Sequence, residues 1–390
     1  MDTKELKIAI VNRVDSHQGQ LEELSHKIHS NPELGFKEFK ASCWLTGYLE
    51  ENGFSVERGI CGLATAFKAS YGTGKPAIAI LAEYDALPGL GHACGHNIIS
   101  TSAVGAAVAS REAVDRCGGT ILVIGTPAEE MYGGKVIMSG YDTFNDADVA
   151  MMVHPAAYDV ATIEALALQT LDIEFFGRAA HASAHPEEGI NALEAMLNSF
   201  AAINSLRQHV KNTSRIHGII TDGGQISNVV PDHSAAEFIV RAVEADYLEE
   251  LKIRVLNCFT GAAKASGARL KYKWSDIYYA PMRNNMVLAR LFRGNINSLG
   301  HRMSLSNDNA DFGSTDMGNV SQLVPGIHPL VAIAPPDVVG HSMQFTEAAI
   351  SEAGMRGLID AAKAMAMTVA DLLADTNITA RVIKEFRRRE

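Results

Sequence analysis

The sequence predicts a mixed α/β protein in which a small α+β domain is inserted into a larger α/β domain. The chain has 390 residues, and beyond about 250–300 residues a single core stops growing, so two domains are expected. Several short apolar runs are each followed closely by polar side chains, as strands of an open α/β sheet are when their carboxyl ends line a site. A middle segment instead predicts the order β-α-β-β-α-β, which is typical of a ferredoxin-like domain.

The first part of the chain opens with helices and continues with strands. Leu21, Leu24 and Ile28 have helical spacing, so a helix is expected over residues 6–28, and a second helix over 37–51. Four apolar runs then predict strands, and a stretch of small apolar residues after the second run predicts a helix. These elements lie at 63–69, 78–82, 98–109 (the helix), 120–125 and 149–153.

The middle segment has a different periodicity. Leu171, Ile173 and Phe175 alternate with polar residues and predict a half-buried strand. Helix, strand, strand, helix and strand follow, at 190–210, 216–221, 237–243, 246–266 and 270–274. The last part predicts a helix, a loop rich in glycine and aspartate, a strand and long final helices, at 284–299, 307–320, 330–334 and 344–373. We therefore expect catalytic-domain parts at 1–167 and 281–390, with the insertion at 168–280.

Composition limits the function classes. The net charge of −11 argues against a nucleic-acid or anionic-membrane partner, which the average surface would repel. No apolar run approaches the ~20 residues of a membrane span, and residues 1–20 are too charged for a signal peptide. The five cysteines are odd in number and widely spaced, which favours reduced thiols. A cytoplasmic location is expected.

Residues able to bind a metal follow four of the predicted strands. Cys94 and His96 lie on a glycine-bounded turn, Glu130 and His154 follow the next two strands, and His341 follows the last. Because ligand sites gather at the carboxyl ends of such strands, these residues are expected to form one site. A thiolate with imidazoles favours Zn²⁺ over Mg²⁺ or Ca²⁺. Five ligands exceed the need of one tetrahedral ion, so two metals sharing a ligand is the simplest interpretation.

The pair Glu129-Glu130 suggests a division of labour. Glu130 can coordinate metal while Glu129 takes a proton from metal-activated water and delivers it to the leaving amine. Asp85 is expected to orient an imidazole ligand by hydrogen bonding. Taken singly, each residue has a structural explanation, since a lone cysteine is usually a small buried hydrophobe and a Glu-Glu pair a solvated face. Their joint placement after strands favours a site.

Seven motifs match a known family in the right order along nearly the whole chain. They are Glu83-Tyr84-Asp85-Ala86-Leu87-Pro88, His92-Ala93-Cys94-Gly95-His96-Asn97, Thr126-Pro127-Ala128-Glu129-Glu130, His154-Pro155, Gly177 to Ser183, Gly189 to Leu193 and Gly313 to Val320. These motifs resemble the co-catalytic zinc metallopeptidases that include aminoacylase, carboxypeptidase G and the plant auxin-conjugate amidohydrolases. The segments 83–85, 217–220 and 313–316 are most similar to those of the aminoacylase-like dipeptidases acting on β-alanyl-lysine and other dipeptides that end in a basic residue.

The resemblance implies a fold and a set of roles. It implies a metallopeptidase domain with a mixed sheet sandwiched by helices, and an inserted ferredoxin-like α+β domain that serves as lid and dimerisation domain. It implies five metal ligands (Cys94, His96, Glu130, His154 and His341), with Glu129 as general base. His181 resembles a histidine that reaches across a dimer interface to stabilise the oxyanion. Asn228 and Arg241 resemble residues that hold the substrate's carboxylate, and His217, Ser314 and Asp316 are further candidates for substrate contact.

One departure concerns the metals. Other branches of the family have a histidine two residues before the aspartate, where this chain has Glu83, so we expect one or two ions per subunit. Zn²⁺ is expected, with Mn²⁺ and Co²⁺ as alternatives. The expected protein is a homodimeric, metal-dependent amidohydrolase that cleaves a small dipeptide or N-acyl amino acid. The alternatives are an aminoacylase-type hydrolase of N-acyl amino acids or other aryl or alkyl amides, and a non-catalytic metal-binding scaffold.

Overall fold

A computed structural model describes residues 3–306 and 313–388, which divide into two compact units. The larger unit comprises residues 3–163, 282–306 and 316–388. The smaller unit comprises residues 164–281 and 313–315, so it begins slightly earlier than the insertion expected at 168–280. In the described part of the chain, no helix is both long and apolar enough to cross a membrane.

The elements are numbered along the chain. The first part of the larger unit contains α1 Thr3–His29, α2 Phe39–Glu51, β1 Ser55–Arg58, β2 Phe67–Thr73, β3 Ala77–Ala82, α3 His96–Cys117, β4 Gly119–Gly125, α4 Glu129–Tyr132, α5 Gly134–Ser139, β5 Val149–Met151 and β6 His154–Ala156. The smaller unit contains β7 Ala167–Phe176, α6 Ala192–Arg207, β8 Arg215–Asp222, β9 His233–Ala242, α7 Ala245–Ser266 and β10 Arg269–Tyr279. The larger unit resumes with α8 Met286–Asn297, α9 Met317–Leu323, β11 Gly326–Ile327, β12 Leu330–Ala332, α10 Met343–Ala348, α11 Glu352–Ala374 and α12 Thr376–Arg387.

The larger unit is built on a mixed six-stranded sheet in the order β1-β2-β4-β3-β5-β11. The central strand β3 pairs parallel with β4 and β5, while β2 pairs antiparallel with β4. Successive side chains of β3 point to opposite faces of the sheet. On one face, Ile78 and Ile80 pack in a core with α1, α3 and α11. Ala79 and Leu81 join a second core on the other face. The expected mixed sheet sandwiched by helices is confirmed.

The strand before His341 does not belong to the central sheet, although four strand ends of one sheet were expected to converge. Here β12 pairs parallel with β6 in a separate two-stranded sheet. The strands that precede β6 and β12 in the chain, β5 and β11, also pair parallel with each other, in the central sheet. The hydrogen-bonded pairing between the two segments is interrupted at Pro329. Proline has no N–H to donate, so it contributes only its carbonyl, to the N–H of His154 at 2.9 Å.

Some elements were not expected from the sequence. The segment 307–320 was predicted to be a loop; its first residues, 307–312, lie outside the described part, and α9 begins at Met317. Met317 and Val320 are buried three residues apart, which is a helical spacing that the glycine and asparagine between them obscured. The short strand β1 and the final helix α12 were also missed.

The smaller unit has the ferredoxin-like arrangement that the sequence predicts. Its four strands form an antiparallel sheet in the order β10-β7-β9-β8, with α6 and α7 between them in the chain. The two helices contribute Met196 and Phe259 to a core that also contains Phe175 and Phe238 of the sheet. The unit therefore has its own hydrophobic core.

Candidate metal centre

The turn that carries Cys94 and His96 depends on the glycine between them. Gly95 has a left-handed backbone (φ 74°), and His96 is the first residue of α3. A Cβ atom at Gly95 would lie 2.5 Å from Cγ of Pro155, which is closer than real side-chain atoms approach. Only glycine therefore satisfies both the conformation and the space of this turn.

Asp85 connects two parts of the centre. One carboxylate oxygen accepts a hydrogen bond from Nδ1 of His96 at 3.0 Å, and the other accepts from the backbone N–H of Glu130 at 3.0 Å. Because Nδ1 donates to Asp85, the lone pair of the neutral ring lies on Nε2, the atom that faces the centre. Although burial disfavours charge on both groups, Asp85 raises the pKa of His96 and His96 lowers the pKa of Asp85. Asp85 is thus placed for the orienting role predicted for it.

The five predicted ligands form two groups that share one thiol. Cys94, His96 and His154 make one group, and Cys94, Glu130 and His341 make the other; within each group the donor atoms lie within 4.8 Å of one another. Sγ of Cys94 is 3.3 Å from Nε2 of His154, and Nε2 of His341 is 3.4 Å from a carboxylate oxygen of Glu130. The structure therefore brings all five side chains together.

These side chains fit divalent cations. Nε2 of His96 and Oε1 of Glu130 are buried, have no hydrogen-bond partner among the described residues, and lie 3.7 Å apart. These two atoms belong to different ligand groups, so a cation bound at each group would give both atoms the partner that they lack. Burial lowers the pKa of His154 to about 4, so its ring is neutral, as a ligand must be. Burial and Glu130 raise the pKa of the Cys94 thiol, which a cation would offset.

Glu129 begins α4 beside this cluster. One of its carboxylate oxygens lies within 4.8 Å of a ring nitrogen of His96 and a carboxylate oxygen of Glu83. Burial raises the pKa of Glu129 well above its ordinary value, and the negative charges of Glu83 and Asp316 raise it further. A raised pKa makes the carboxylate a stronger base toward water and its protonated form a ready donor to the leaving amine, as the predicted role requires.

Glu38 supports this turn and was missed by the sequence analysis. Its buried carboxylate accepts hydrogen bonds from the backbone N–H of Ala128 at 2.9 Å and from the hydroxyl of Thr65 at 2.8 Å. Ala128 precedes Glu129 and has a left-handed backbone (φ 62°), which a non-glycine residue adopts only under constraint. Burial raises the pKa of Glu38 to about 7. Nothing in the sequence marks Glu38, because its partners are remote along the chain.

A buried ion network of Lys135, Glu83 and Asp316 adjoins the cluster. The Lys135 ammonium pairs with Glu83 and, at 2.7 Å, with Asp316, whose other oxygen accepts from the backbone N–H of Lys135 at 2.9 Å. Asp316, a candidate for substrate contact, is fully buried, and both oxygens bond Lys135. We therefore no longer count Asp316 among the substrate-binding residues. Lys135 was missed, although a lone cation within Lys135-Val136-Ile137-Met138 was an available signal.

The remaining predicted residues belong to the smaller unit. His181 and Asn228 lie on adjacent segments, since His181 forms an isolated bridge with Val229 and the carbonyl of Asn228 accepts from Ala182 at 3.0 Å. Nδ1 of His181 accepts hydrogen bonds from the backbone N–H groups of Ser183 and Ala184, at 3.3 and 3.2 Å. The proton of the neutral ring is therefore on Nε2, and the side chain is exposed.

Arg241, His217 and Ser314 form a second grouping in the smaller unit. The Arg241 guanidinium donates to the hydroxyl of Ser314 at 3.3 Å, and its buried Nε has no partner among the described residues. Burial lowers the pKa of Arg241, and burial together with the Arg241 charge lowers the pKa of His217. His217 is therefore neutral beside a cation that retains capacity to bind an anion.

Sequence relatives place the chain in a family. Residues 166–266 match a family model described as a peptidase dimerisation domain. The Xaa-Arg dipeptidase of Mus musculus is 36% identical over 98% of this chain and 92% of that protein. One of the subunits of the p-aminobenzoyl-glutamate hydrolase of Escherichia coli is 28% identical over 95% of this chain and 92% of that protein.

A solved structure agrees on the fold. The YXEP protein of Bacillus subtilis, described as a dinuclear metal binding peptidase from the M20 family, superimposes with a TM-score of 0.73 at 19% identity, over 92% of this chain and 99% of that chain. The two-unit fold and a cluster of thiol, imidazole and carboxylate donors define a metal-dependent hydrolase. The chain belongs to the M20 peptidase family, as the match of residues 166–266 to the M20 dimerisation domain and the 36% identity to the mouse relative over nearly the full length establish. It is an enzyme, and the alternative of a non-catalytic scaffold is excluded.

Proposed function

We propose that the enzyme hydrolyses the amide bond of a small dipeptide, at a centre where two divalent cations share Cys94. The observation that carries this proposal is the arrangement of two ligand groups around one thiol, with the carboxylate of Glu129 within 4.8 Å of His96. Three residues would hold each cation: Cys94, His96 and His154 the first, and Cys94, Glu130 and His341 the second. When bound, such cations lower the pKa of water and polarise the scissile carbonyl.

The chain's own residues supply the proton transfers. Glu129 accepts a proton from the attacking water and returns it to the nitrogen of the leaving amine, so one carboxyl group acts as base and then as acid. Its raised pKa suits this exchange, because burial and neighbouring carboxylates keep the protonated form accessible. Asp85 holds the His96 ring and the backbone of Glu130 in fixed orientations throughout.

The smaller unit supplies groups for the oxyanion and the substrate carboxylate. The partner subunit's His181 donates from Nε2 to the developing oxyanion; the two backbone N–H groups bonded to Nδ1 of His181 keep the proton on Nε2. Arg241, with Ser314 beside it, binds the terminal carboxylate through its guanidinium. We propose that Asn228, on the segment next to His181, and His217, beside Arg241, also contact the substrate.

A test of Glu129 separates catalysis from metal binding. Glu129→Gln removes the proton acceptor while preserving shape and leaving the five ligands intact. We expect turnover to fall by about 10³-fold or more, with metal content by elemental analysis close to that of the wild type. Glu112→Gln, at an exposed pair with Arg116, is the matched control and should behave as the wild type. Substantial activity in Glu129→Gln would contradict the assignment of Glu129 as the general base.

Two substrate classes remain to be separated. The relative named as an Xaa-Arg dipeptidase supports dipeptides that end in a basic residue such as arginine as substrates of this enzyme. The relative named as a subunit of p-aminobenzoyl-glutamate hydrolase supports acylated amino acids such as p-aminobenzoyl-glutamate. Rates for Ala-Arg, β-Ala-Lys, p-aminobenzoyl-glutamate and N-acetyl amino acids would be compared at equal enzyme concentration. We expect the highest kcat/KM with the basic dipeptides. A clear preference for acylated substrates would support the second class instead.

We propose Zn²⁺ as the metal, since a shared thiolate with imidazoles suits a borderline-soft cation. Mn²⁺ and Co²⁺ are the alternatives. Apoenzyme reconstituted with each metal in turn, at measured stoichiometry, should be most active with two Zn²⁺ per subunit.

We also propose a cytoplasmic location, because all five cysteines are free thiols.

We propose that the smaller unit forms the homodimer through the outer strand β8. It is an edge of the four-stranded sheet, and Ile219 on it is 64% exposed. An edge strand with exposed apolar side chains can continue its sheet into a second copy. Ile219→Lys should therefore give a monomer in light scattering. Ile253→Lys on α7, a site that is also 64% exposed, should leave the dimer intact. A dimer that survives Ile219→Lys would exclude this surface.

A further inference from the structure

We propose that Lys135 is a positioning residue of the metal centre: its buried ammonium holds one oxygen of Glu83 so that the other oxygen faces His96 and Glu129. The inference rests on the proposed hydrolytic function of this site and deepens it. Lys135 lies outside both ligand groups, so its effect is exerted through Glu83 and through the turn that follows Glu129.

The two oxygens of Glu83 have different surroundings. Oε1 accepts from the Lys135 ammonium, whereas Oε2 is buried without a hydrogen-bond partner among the described residues. Oε2 lies 3.6 Å from Nε2 of His96, the ring nitrogen that does not bond Asp85. Glu83 and Glu129 each have a carboxylate oxygen within 4.8 Å of this ring and of one another. A buried oxygen with no other partner therefore points at the centre.

Charge explains why a lysine is needed here. Glu83, Asp316 and Lys135 are all fully buried, so the one ammonium must compensate two carboxylates. An uncompensated buried charge is strongly destabilising and would draw its carboxylate toward another donor. With Lys135 fixed between Glu83 and Asp316, neither carboxylate needs to turn to another partner. Glu83 therefore stays directed at His96.

The network of Lys135, Glu83 and Asp316 also restrains the chain that follows α4, the helix that carries Glu129 and Glu130. The backbone N–H of Lys135 donates to Asp316 at 2.9 Å, and that of Gly134 donates to the carbonyl of Ala128 at 3.4 Å. A Cβ atom at Gly134 would lie 1.8 Å from the carbonyl oxygen of Pro127, so the two ends of α4 are in close contact. Lys135 thus restrains the segment carrying Glu129 and Glu130 from its carboxyl end.

The competing explanation is that Lys135 only neutralises buried charge. The double variant Lys135→Met/Asp316→Asn distinguishes the two, because it removes one positive and one negative charge, preserves the net charge of the network and leaves the Glu83 carboxylate in place. If neutralisation were the whole role, this variant would bind metal and turn over substrate as the wild type does. If Lys135 positions Glu83, the variant folds but the centre stays impaired, because no ammonium holds Oε1 of Glu83 and Oε2 is no longer kept facing His96.

The experiment measures metal affinity, kinetics and stability for Glu83→Gln, Lys135→Met and the double variant. Dissociation constants for Zn²⁺ come from chelator competition without substrate, and kcat and KM from the metal-saturated enzymes. We expect all three to bind Zn²⁺ about 10- to 100-fold more weakly and to lose kcat with little change in KM, since the network touches no substrate. Lys68→Met, which breaks an ion pair with Asp146 at the surface, should match the wild type.

Two results would overturn the proposal: wild-type Zn²⁺ affinity in Glu83→Gln, or recovery of both affinity and kcat in the double variant. Glu83→Gln retains the Lys135–Asp316 pair, so it keeps the test decisive if Lys135→Met does not fold. The affinity measurement needs no turnover. A wild-type enzyme that binds Zn²⁺ but hydrolyses no amide would therefore refute the proposed function without affecting this test.

Discussion

Gly95 carries two separate constraints, a left-handed backbone and a close approach to Pro155. Gly95→Ala should lower the free energy of unfolding by about 2–4 kcal/mol, with backbone strain and the clash both contributing. Gly267→Ala is the matched control: Gly267 has a similar φ of 77° but nothing within 4 Å of an added Cβ. That variant should cost only about 1 kcal/mol, from strain alone.

Denaturant unfolding of the two glycine variants, monitored by circular dichroism, gives the difference. Gly95→Ala should in addition bind Zn²⁺ more weakly, because Cys94 and His96 move with the turn. Equal destabilisation by both substitutions would mean that the contact with Pro155 is not restrictive.

The residues that sequence reasoning identified are those whose chemistry is visible over a short stretch. Cys94 and His96 are two positions apart, and Glu129 and Glu130 are adjacent. Lys135 and Glu38 escaped notice because the partners that explain them, Asp316 and Ala128, lie 181 and 90 positions away. Pairings over such distances follow from the folded chain, and no local pattern encodes them.

At the level of secondary structure, apolar periodicity was sufficient where an element is long or fully buried. The central strands and α7 lie within a few residues of their expected bounds. The helix α9 was missed because its apolar spacing is interrupted by small polar residues, and the separate pairing of β6 with β12 because it depends on Pro329. Apolar periodicity was therefore insufficient for α9, where small polar residues interrupt it, and for the β6–β12 pairing, which depends on backbone hydrogen bonding.

One ionic contact links elements that are distant along the chain. The ring of His301 lies between Asp159 at 2.9 Å and Asp360 of α11 at 3.2 Å, and the carboxylate of Asp159 also accepts from the backbone of Ala332 in β12. Hydrogen bonds to Asp159 and then Asp360 raise the pKa of His301 to about 9. The charged ring therefore joins α11 to the two-stranded sheet.

This contact predicts a pH-dependent stability. A histidine whose folded pKa is raised from 6.5 to about 9 contributes its full stabilisation below pH 6.5 and loses it as pH rises through 9. We expect a loss on the order of 1–2 kcal/mol between pH 6.5 and 9.5, reduced from the full linkage value by solvent screening. Denaturant unfolding of the wild type and His301→Gln at both pH values measures it. The stability difference between the two proteins should shrink at high pH; a constant difference would contradict the assignment.

At the scale of the whole molecule, the two units have separate cores and each contains one tryptophan. Trp44 packs against the main core of the larger unit, and Trp274 against the core of the smaller unit. All five proposed ligands lie in the larger unit, on segments that are far apart in the sequence. Bound cations would therefore stabilise the larger unit directly and the smaller unit only if both unfold together.

Removing the metal should accordingly lower the melting temperature of one unit. The variant Trp274→Phe leaves Trp44 as the reporter of the larger unit, and Trp44→Phe leaves Trp274 as the reporter of the smaller one. A cation present at 1,000 times its dissociation constant stabilises by about 4 kcal/mol, so chelation should lower the transition seen by Trp44 by about 10 °C. The transition seen by Trp274 should move by much less, because the core around it contains none of the ligands. Equal shifts at both tryptophans would show instead that the two cores unfold as one cooperative block.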